Sequence, residues 1–231
     1  HWDDMIQVLL GNDKYGVCNN YELGGGRELS YLDIEKLNQV CVLGSEAAQQ
    51  IFSFADPIDK TITIKGDITY LEIREMQISA ATFANTKLKE VDMEKNQLTD
   101  FNLSGLPAVT KLSLNENSIV TFSSTGNSVL KNLGLKSNKI DSHQFEISSL
   151  ANSLEQLNVS GNGENFVALN LINFDKLEYF TANDNPELTT VVFYDGSTNL
   201  KQISMNNCHI MHFYAISLPN LNTLNLSNNA L

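Results

Sequence analysis

The sequence has 231 residues, 42% of them hydrophobic, and a formal net charge of -12 at pH 7. A chain of this size can bury a substantial core, either as one large domain or as two small ones. Its acidity disfavours nucleic acids and anionic membranes as partners, because an acidic surface repels their phosphate groups. No apolar run approaches the roughly 18 to 20 residues of a membrane-spanning helix, so membrane insertion is not expected.

Residues 1–57 are predicted to form a helical N-terminal cap. The stretch WDDMIQVLL has apolar residues at helical spacing, and SYLDIEKLNQV begins with Ser30 as a helix-capping residue. No secretory signal peptide is recognisable, so the protein is expected either to be made without one or to begin after its removal. Cys18 and Cys41 could pair in an oxidising compartment, but their spacing alone leaves this open.

The next stretch, KTITIKGDITYLEI at residues 60–73, is predicted to form a tight antiparallel hairpin. Two alternating segments flank the turn-forming residues Lys65, Gly66 and Asp67. Residues 61–64 would then pair with the strand that follows and shield its edge from water.

An eleven-residue phrase recurs from residue 68 onwards, and its last copy is LNTLNLSNNAL at residues 221–231. The other copies begin near residues 68, 88, 109, 130, 154, 177 and 200. Their ninth places are Met76, Asn96, Asn117, Asn138, Asn162, Asn185, Cys208 and Asn229, with spacings of 20, 21, 21, 24, 23, 23 and 21 residues. Self-similarity at this period predicts a solenoid.

Each copy combines a short strand with a bend. Side chains alternate along a strand, so Ile203 and Met205 should face the core while Ser204 faces water. One coil cannot cover its own apolar side, so the coils must stack and place their strands in a parallel sheet.

The ninth-place side chains are predicted to form a structural ladder along the bends. An asparagine amide can both donate to and accept from backbone groups there, and the thiol of Cys208 is a weaker substitute. Met76 cannot make these bonds, so the first coil is expected to depart from the regular bend. The ladder members are Asn96, Asn117, Asn138, Asn162, Asn185, Cys208 and Asn229.

On these residues the sequence resembles the leucine-rich repeat family, whose consensus is LxxLxLxxNxL. The short, asparagine-rich copies are most similar to bacterial surface members of the internalin type. The resemblance implies an α/β solenoid: a right-handed superhelix of eight repeats with a parallel concave sheet over residues 58–231, preceded by the helical cap. It also implies a secreted or cell-surface protein with a role in binding or adhesion.

Two further segments carry structural predictions. The stretch DSHQFEISSLANS, from Asp141, should add a short helix on the convex side. After Leu224 and Leu226 the sequence holds no polar covering coil, so either the array continues past Leu231 or a partner covers the last coil.

No motif predicts catalysis, a cofactor or a metal site, and the chain is expected to be non-enzymatic. The glycines at 24–26 lack the lysine and hydroxyl residue of a phosphate loop. His209 and His212 have a spacing that suits two metal ligands, but no carboxylate lies near them in sequence. The acidic residues of DKYGVCNNYELGGGREL do not align as a calcium loop.

The third, fifth and seventh places of the copies predict a binding face on the concave sheet, where equivalent residues form columns across strands about 4.8 Å apart. These columns are charged in the N-terminal half and neutral in the C-terminal half. The candidate ligand-binding residues are Tyr70, Glu72, Arg74, Glu90, Asp92, Glu94, Lys111, Gln156, Asn158, Tyr179, Thr181, Asn183, Gln202 and Asn206.

Two interpretations of the charged half stay open. Glu72 beside Asp92 is a like-charge pair that Arg74, a cation or a ligand must offset. This half could bind a basic segment, or it could be a solvent-exposed face whose side chains form ion pairs with one another, such as Arg74 with Glu94. Tyr179, among amides and hydroxyls, suits protein and sugar ligands alike.

The leading functional prediction is therefore a binding module that engages a protein or peptide, with a basic one as a candidate. Its rigid concave sheet would lose little entropy on association. A glycan-binding adhesin or accessory protein is the alternative, and a spacer that positions a neighbouring domain is a third.

Overall fold

The structure is a computed structural model that describes residues 61–65, 68–84, 87–193, 197–213 and 218–231. The predicted helical cap over residues 1–57, with Cys18, Cys41 and the glycines at 24–26, lies outside the described residues and stays a prediction.

The described chain consists of short strands joined by bends, with two 3₁₀ helices at Ser142–Gln144 and Ser148–Leu150. No helix among these residues is long and apolar enough to cross a membrane. The strands are β1 (Thr61–Lys65), β2 (Tyr70–Glu72), β3 (Ala80–Ala84), β4 (Glu90–Asp92), β5 (Asp100–Asn102), β6 (Lys111–Ser113), β7 (Thr121–Ser123), β8 (Asn132–Gly134), β9 (Phe145–Glu146), β10 (Gln156–Asn158), β11 (Ala168–Asn170), β12 (Tyr179–Thr181), β13 (Thr190–Val192), β14 (Gln202–Ser204) and β15 (Thr223–Asn225).

Eight strands form one parallel sheet in the order β2, β4, β6, β8, β10, β12, β14 and β15. Every pairing joins equivalent places of successive copies, for example Gln156 with Tyr179 and Tyr179 with Gln202. Smaller parallel sheets follow in the same coils, formed by β1 with β3, by β5, β7 and β9, and by β11 with β13. The chain is thus a parallel β-solenoid, in which seven turns join the eight strands. Its right-handedness and the completeness of the eighth repeat stay predictions.

The antiparallel hairpin predicted at residues 60–73 is wrong. Strand β1 pairs in parallel with β3, from Thr61 opposite Ala80 to Lys65 opposite Ala84. The offset between partners is 80 − 61 = 19 residues, close to the repeat period. Strand β1 is therefore the equivalent of β3 in the preceding coil. The local turn residues Lys65-Gly66-Asp67 suggested a hairpin, but stacking of equivalent segments determines the pairing.

The apolar places of the phrase form one continuous core between the sheets. Ile203 and Met205 are fully buried, as predicted, whereas Ser204 is only 8% exposed and donates its hydroxyl hydrogen to Oδ1 of Asn183 at 2.8 Å. Leu224 is 47% exposed because it lies on β15, the outermost strand of the sheet.

The predicted ladder is present, and Asn117 shows its bonding. Its Nδ2 donates to the carbonyl oxygens of Met93 (2.9 Å) and Leu114 (3.0 Å), and its Oδ1 accepts from the backbone N–H of Leu98 (3.1 Å). Each amide therefore joins its own bend to the preceding coil. Comparable bonds recur at Asn96, Asn138, Asn162, Asn185 and Asn229.

Cys208 is the ladder member of its coil, as predicted. Its Sγ donates to the carbonyl oxygen of Ala182 at 3.0 Å, a bond of the kind that the asparagine amides make. Burial raises the pKa of the Cys208 thiol, which keeps it protonated and favours a structural role over a reactive one.

The first coil departs from the regular bend, as expected from Met76, although the residue before Met76 keeps the common conformation. The residue before each ladder place adopts a left-handed conformation, and Glu75 before Met76 (φ 56°) matches Lys95 before Asn96 (φ 55°). Asn96 also accepts from the backbone N–H of Met76 at 3.0 Å, so the next coil supplies the ladder contact. The departure comes one residue later, at Gln77, whose φ is 54°.

The short helix predicted after Asp141 is confirmed in position, but its form is 3₁₀. The side chain of Asp141 accepts from the backbone N–H of His143 at 2.8 Å and so caps Ser142–Gln144. Strand β9 and a second 3₁₀ helix follow, and Leu150 at the end of that helix is fully buried.

Candidate functional site

The strand register assembles the predicted columns on the face of the eight-stranded sheet opposite the core. In the third-place column Tyr70 lies beside Glu90, and Glu90 beside Lys111. In the fifth-place column Glu72 lies beside Asp92, and farther along the sheet Asn158 lies beside Thr181. Gln156, Tyr179 and Gln202 continue the third-place column, and the other candidates follow the strands at the seventh place: Arg74, Glu94, Asn183 and Asn206.

Arg74 offsets the like-charge pair formed by Glu72 and Asp92, as one of the two interpretations predicted. Its Nε lies 3.3 Å from Oε1 of Glu72, its Nη1 lies 3.6 Å from Oε2 of Glu94, and its Nη2 donates to Oδ2 of Asp92. The bond to Asp92, opposed by burial, raises the pKa of Arg74 above its ordinary value, and the charges of all three carboxylates add to this effect. We call Arg74, Glu72, Asp92 and Glu94 the Arg74 cluster.

Two neutral residues hold Glu94 in place. The hydroxyl of Ser113 and Nδ2 of Asn115 both donate to Oε1 of Glu94, the second at 2.6 Å. Burial raises the pKa of Glu94, but these hydrogen bonds and the charge of Arg74 outweigh it and hold the pKa below its ordinary value. The carboxylate therefore stays ionised at neutral pH.

The outer part of the charged half is more accessible. The Glu90 side chain is 49% exposed, and its oxygen lies 3.8 Å from Nζ of Lys111, so the pair is loose. Counting Glu90 and Lys111 with the Arg74 cluster gives four carboxylates and two cations, a net charge of 2 − 4 = -2.

Replacement of Arg74 by alanine is expected to lower the free energy of unfolding at pH 7 by about 1–2 kcal/mol, a figure reduced for the partial exposure of the side chain. The carboxylates would then repel one another, and the folded-state pKa of Glu94 would rise. A lowered carboxyl pKa contributes stability above the unfolded pKa, and this stability is lost as the pH falls through the folded pKa. The loss of stability caused by the substitution should therefore become smaller as the pH falls below 4.5, the ordinary pKa of a glutamate side chain.

Urea unfolding at pH 7 and pH 4 measures this difference, with Lys131→Ala as the matched control. Lys131 forms an ion pair with Glu155 (2.7 Å), in which the side chains are 54% and 40% exposed, so its loss should change stability little. An equal loss for Arg74→Ala at both pH values would contradict the role of Arg74 as a counter-charge.

The C-terminal half of the face carries a second group, which we call the Tyr179 patch. It is uncharged, and Tyr179 at its centre is 39% exposed. Nζ of Lys201 lies 5.9 Å from the centroid of the Tyr179 ring and 2.7 Å from Oε2 of Glu178, which neutralises it. The patch consists of Gln156, Asn158, Tyr179, Thr181, Asn183 and Gln202.

Sequence reasoning did not identify the residues that position these side chains. Ser113 lies beside Asp92 in the fifth-place column, so the register could have indicated its proximity to the cluster. Asn115 could have been found in the same way from the seventh place. Lys201 and Glu178 are at the second place of their copies, at the edge of the sheet face, and so lie outside the third-, fifth- and seventh-place columns.

His209 and His212, singled out in the sequence for their spacing, both lie in the described part of the chain. Among the described residues, no group of three or more histidine, cysteine, aspartate or glutamate side chains could hold a metal ion.

Together these features define a parallel β-solenoid with a polar, partly charged face on its eight-stranded sheet. No protein-family model and no curated protein matches the sequence. Among solved structures, the functional domain of InlJ from Listeria monocytogenes, which includes a cysteine ladder, is similar with 17% sequence identity and a TM-score of 0.34. The similarity covers 70% of this chain and 49% of that one, so the chain spans about half the length of the structure that it matches. The strand register, rather than this similarity, defines the fold.

Proposed function

We propose that the protein is a non-enzymatic binding module that engages a protein or peptide on its concave sheet, outside the cell or at its surface. The extracellular location follows the resemblance of the repeats. The observation that carries the proposal is the Arg74 cluster with Glu90, a set of carboxylates whose formal net charge, with Arg74 and Lys111, is negative. A segment rich in lysine or arginine is the ligand that this charge favours.

Glu90 is the contact point that we assign to such a ligand. The carboxylates inside the cluster are 15–20% exposed and already bonded to Arg74, whereas the Glu90 side chain is 49% exposed. Its contact with Lys111 is long, so a cation of the ligand can displace Lys111 at little cost. The inner carboxylates then add long-range attraction without having to rearrange.

Rigidity supports the same proposal. The strands are joined by backbone hydrogen bonds, and Ser113 and Asn115 hold the carboxylate of Glu94. A surface that is already ordered loses little conformational entropy when a ligand binds.

An array of basic, neutral and acidic peptides, probed at low and at physiological salt, tests the proposal. We expect preferential binding of basic peptides that weakens with salt. Charge reversal by Glu90→Lys should weaken this binding about tenfold, because it places a like charge at the contact.

Glu187→Lys is the matched control, since it changes the net charge equally at an exposed carboxylate away from the concave columns. Equal losses for the two variants would mean that the overall charge, and not this site, attracts the peptides. Binding without a preference for basic peptides would overturn the assignment of a basic ligand, and absence of binding to every peptide would leave the spacer role as the better account.

A further inference from the structure

The Tyr179 patch differs in chemistry from the charged half of the same sheet. Its six residues carry no charge, in a protein whose net charge is -12. The neighbouring ammonium of Lys201 is paired with Glu178 at 2.7 Å. A ligand on this patch therefore gains little from ionic attraction and must be recognised through neutral hydrogen bonds and ring contact.

The amides of the patch are oriented before any ligand arrives. Oδ1 of Asn158 accepts from the backbone N–H of Ser160, and Oδ1 of Asn183 accepts from the backbone N–H of Asn206, both at 3.0 Å. A backbone N–H can only donate, so these bonds determine which end of each amide is the oxygen. The Nδ2 groups are left as donors, and neither has a protein partner within the described chain.

Other polar groups of the patch have spare capacity too. Oε1 of Gln156 accepts from Nδ2 of Asn132 at 3.3 Å, which leaves Nε2 of Gln156 as a donor. The hydroxyl groups of Tyr179 and Thr181 make no hydrogen bond with another described residue. Since hydroxyl groups both donate and accept, the patch offers several oriented donors and a few acceptors around one aromatic ring.

We propose that the Tyr179 patch is a second binding site, which takes a neutral oligosaccharide. A saccharide presents hydroxyl and ether oxygens to the amide donors, hydroxyl hydrogens to the acceptors, and an apolar face of C–H groups to the ring of Tyr179. Because Asn158 and Asn183 are already held by the backbone, the site loses little side-chain entropy on binding.

A protein ligand fits this patch less well. The buried centre of a protein interface is about 65% apolar and is enriched in aromatic residues, methionine and arginine. Here one aromatic residue lies among amides and hydroxyls, beside the ion pair of Lys201 and Glu178, so a protein surface would leave many polar groups imperfectly paired. The same lack of charge disfavours phosphorylated or sulfated ligands.

Isothermal titration with malto-, cello-, manno- and chito-hexaose, one at a time, tests the proposal. At least one of these neutral sugars should bind, and Tyr179→Ala should weaken that binding about tenfold, which corresponds to about 1.4 kcal/mol. Tyr179→Phe keeps the ring and should weaken it less than about threefold, which separates ring contact from the hydroxyl group. Asn183→Asp keeps the accepting oxygen but removes the donor, and should also weaken binding.

Val129→Ala is the matched control, because Val129 is an exposed apolar side chain (41% exposed) that lies outside the third-, fifth- and seventh-place columns. Circular dichroism and thermal unfolding of each variant verify that the fold is kept. Failure of all four sugars to bind, or binding unaffected by Tyr179→Ala, would overturn the proposal. Binding of basic peptides that depends on Tyr179 and not on Glu90 would overturn it as well, since the patch would then belong to a peptide site.

Discussion

Replacement of Asn117 by alanine is expected to lower the free energy of unfolding by about 3–5 kcal/mol. The side chain is 9% exposed, and its amide bonds the carbonyl oxygens of Met93 and Leu114 and the backbone N–H of Leu98. Alanine would leave these three buried backbone groups without a partner, each at a cost of about 1–3 kcal/mol before relaxation. The loss is large because the freed groups belong to more than one coil and cannot reach water together.

Urea unfolding followed by far-UV circular dichroism measures the change, and Asn152→Ala is the matched control. Asn152 is an exposed asparagine whose side chain bonds no other described residue, so its replacement should change stability by less than about 0.5 kcal/mol. Asn117→Asp separates the contribution of side-chain size from that of hydrogen bonding. Aspartate has the size of asparagine, but its carboxylate has no N–H group to donate to the carbonyl oxygens of Met93 and Leu114. If Asn117→Ala unfolds at the same urea concentration as the parent, the ladder does not hold the coils together.

The ladder and the columns could be predicted from the sequence because both follow from strict periods. Side chains alternate with a period of two along a strand, so assigning Ile203 to the core also determines which side of the sheet Gln202 faces. The repeat period then places Gln202 beside Tyr179, as the structure does. The same argument explains why Cys208 could be recognised as a ladder member although it is not an asparagine.

The features that sequence reasoning missed depend on local preference or on side-chain direction. The segment at residues 61–65 carries turn residues after an alternating run, and local preference suggested a hairpin where stacking formed a parallel pair. The presence of methionine at position 76 did not predict that the backbone N–H of Met76 would donate to Oδ1 of Asn96 in the next coil. The contact between Lys201 and the ring of Tyr179 depends on how long side chains lie across the sheet, which no period determines.

The ladder also bears on binding, because it sets the spacing between the strands that carry the candidate sites. Asn162 and Asn185 lie in the bends that follow β10 and β12, the strands that hold most of the Tyr179 patch. Asn96 has the same position after β4, which carries Glu90 and Asp92. A loosened bend would move the amides or carboxylates relative to their neighbours, so ladder substitutions should weaken binding even when they lie away from the ligand.

Replacement of Gly105 by alanine is the second change from which we expect a large effect. This glycine lies after β5, away from the eight-stranded sheet, and a Cβ atom there would lie 2.0 Å from the carbonyl oxygen of Phe83 and 2.6 Å from its carbonyl carbon. These are backbone atoms of the preceding coil, which cannot rotate away as a side chain can. Relief of the clash requires the two coils to separate, which would disturb the contact between the rings of Phe83 and Phe101, now 5.8 Å apart. We expect a loss of about 3 kcal/mol or more, at the upper end of overpacking effects.

Gly163→Ala is the control that separates the effect of the close contact at Gly105 from the general effect of replacing a glycine by alanine. A Cβ atom at Gly163 would meet nothing within 4 Å, and its φ lies outside the left-handed range. Alanine there restricts the unfolded chain without straining the folded one, so it should leave stability unchanged or raise it by about 0.4–1 kcal/mol. Urea unfolding of both variants beside the parent gives the comparison.

Because coils in a solenoid contact only their neighbours, the loss at Gly105 should appear as early unfolding of the N-terminal coils, with the C-terminal strands retained to higher urea. Similar stability for the two variants would show that the coils around Phe83 and Gly105 do not pack this closely.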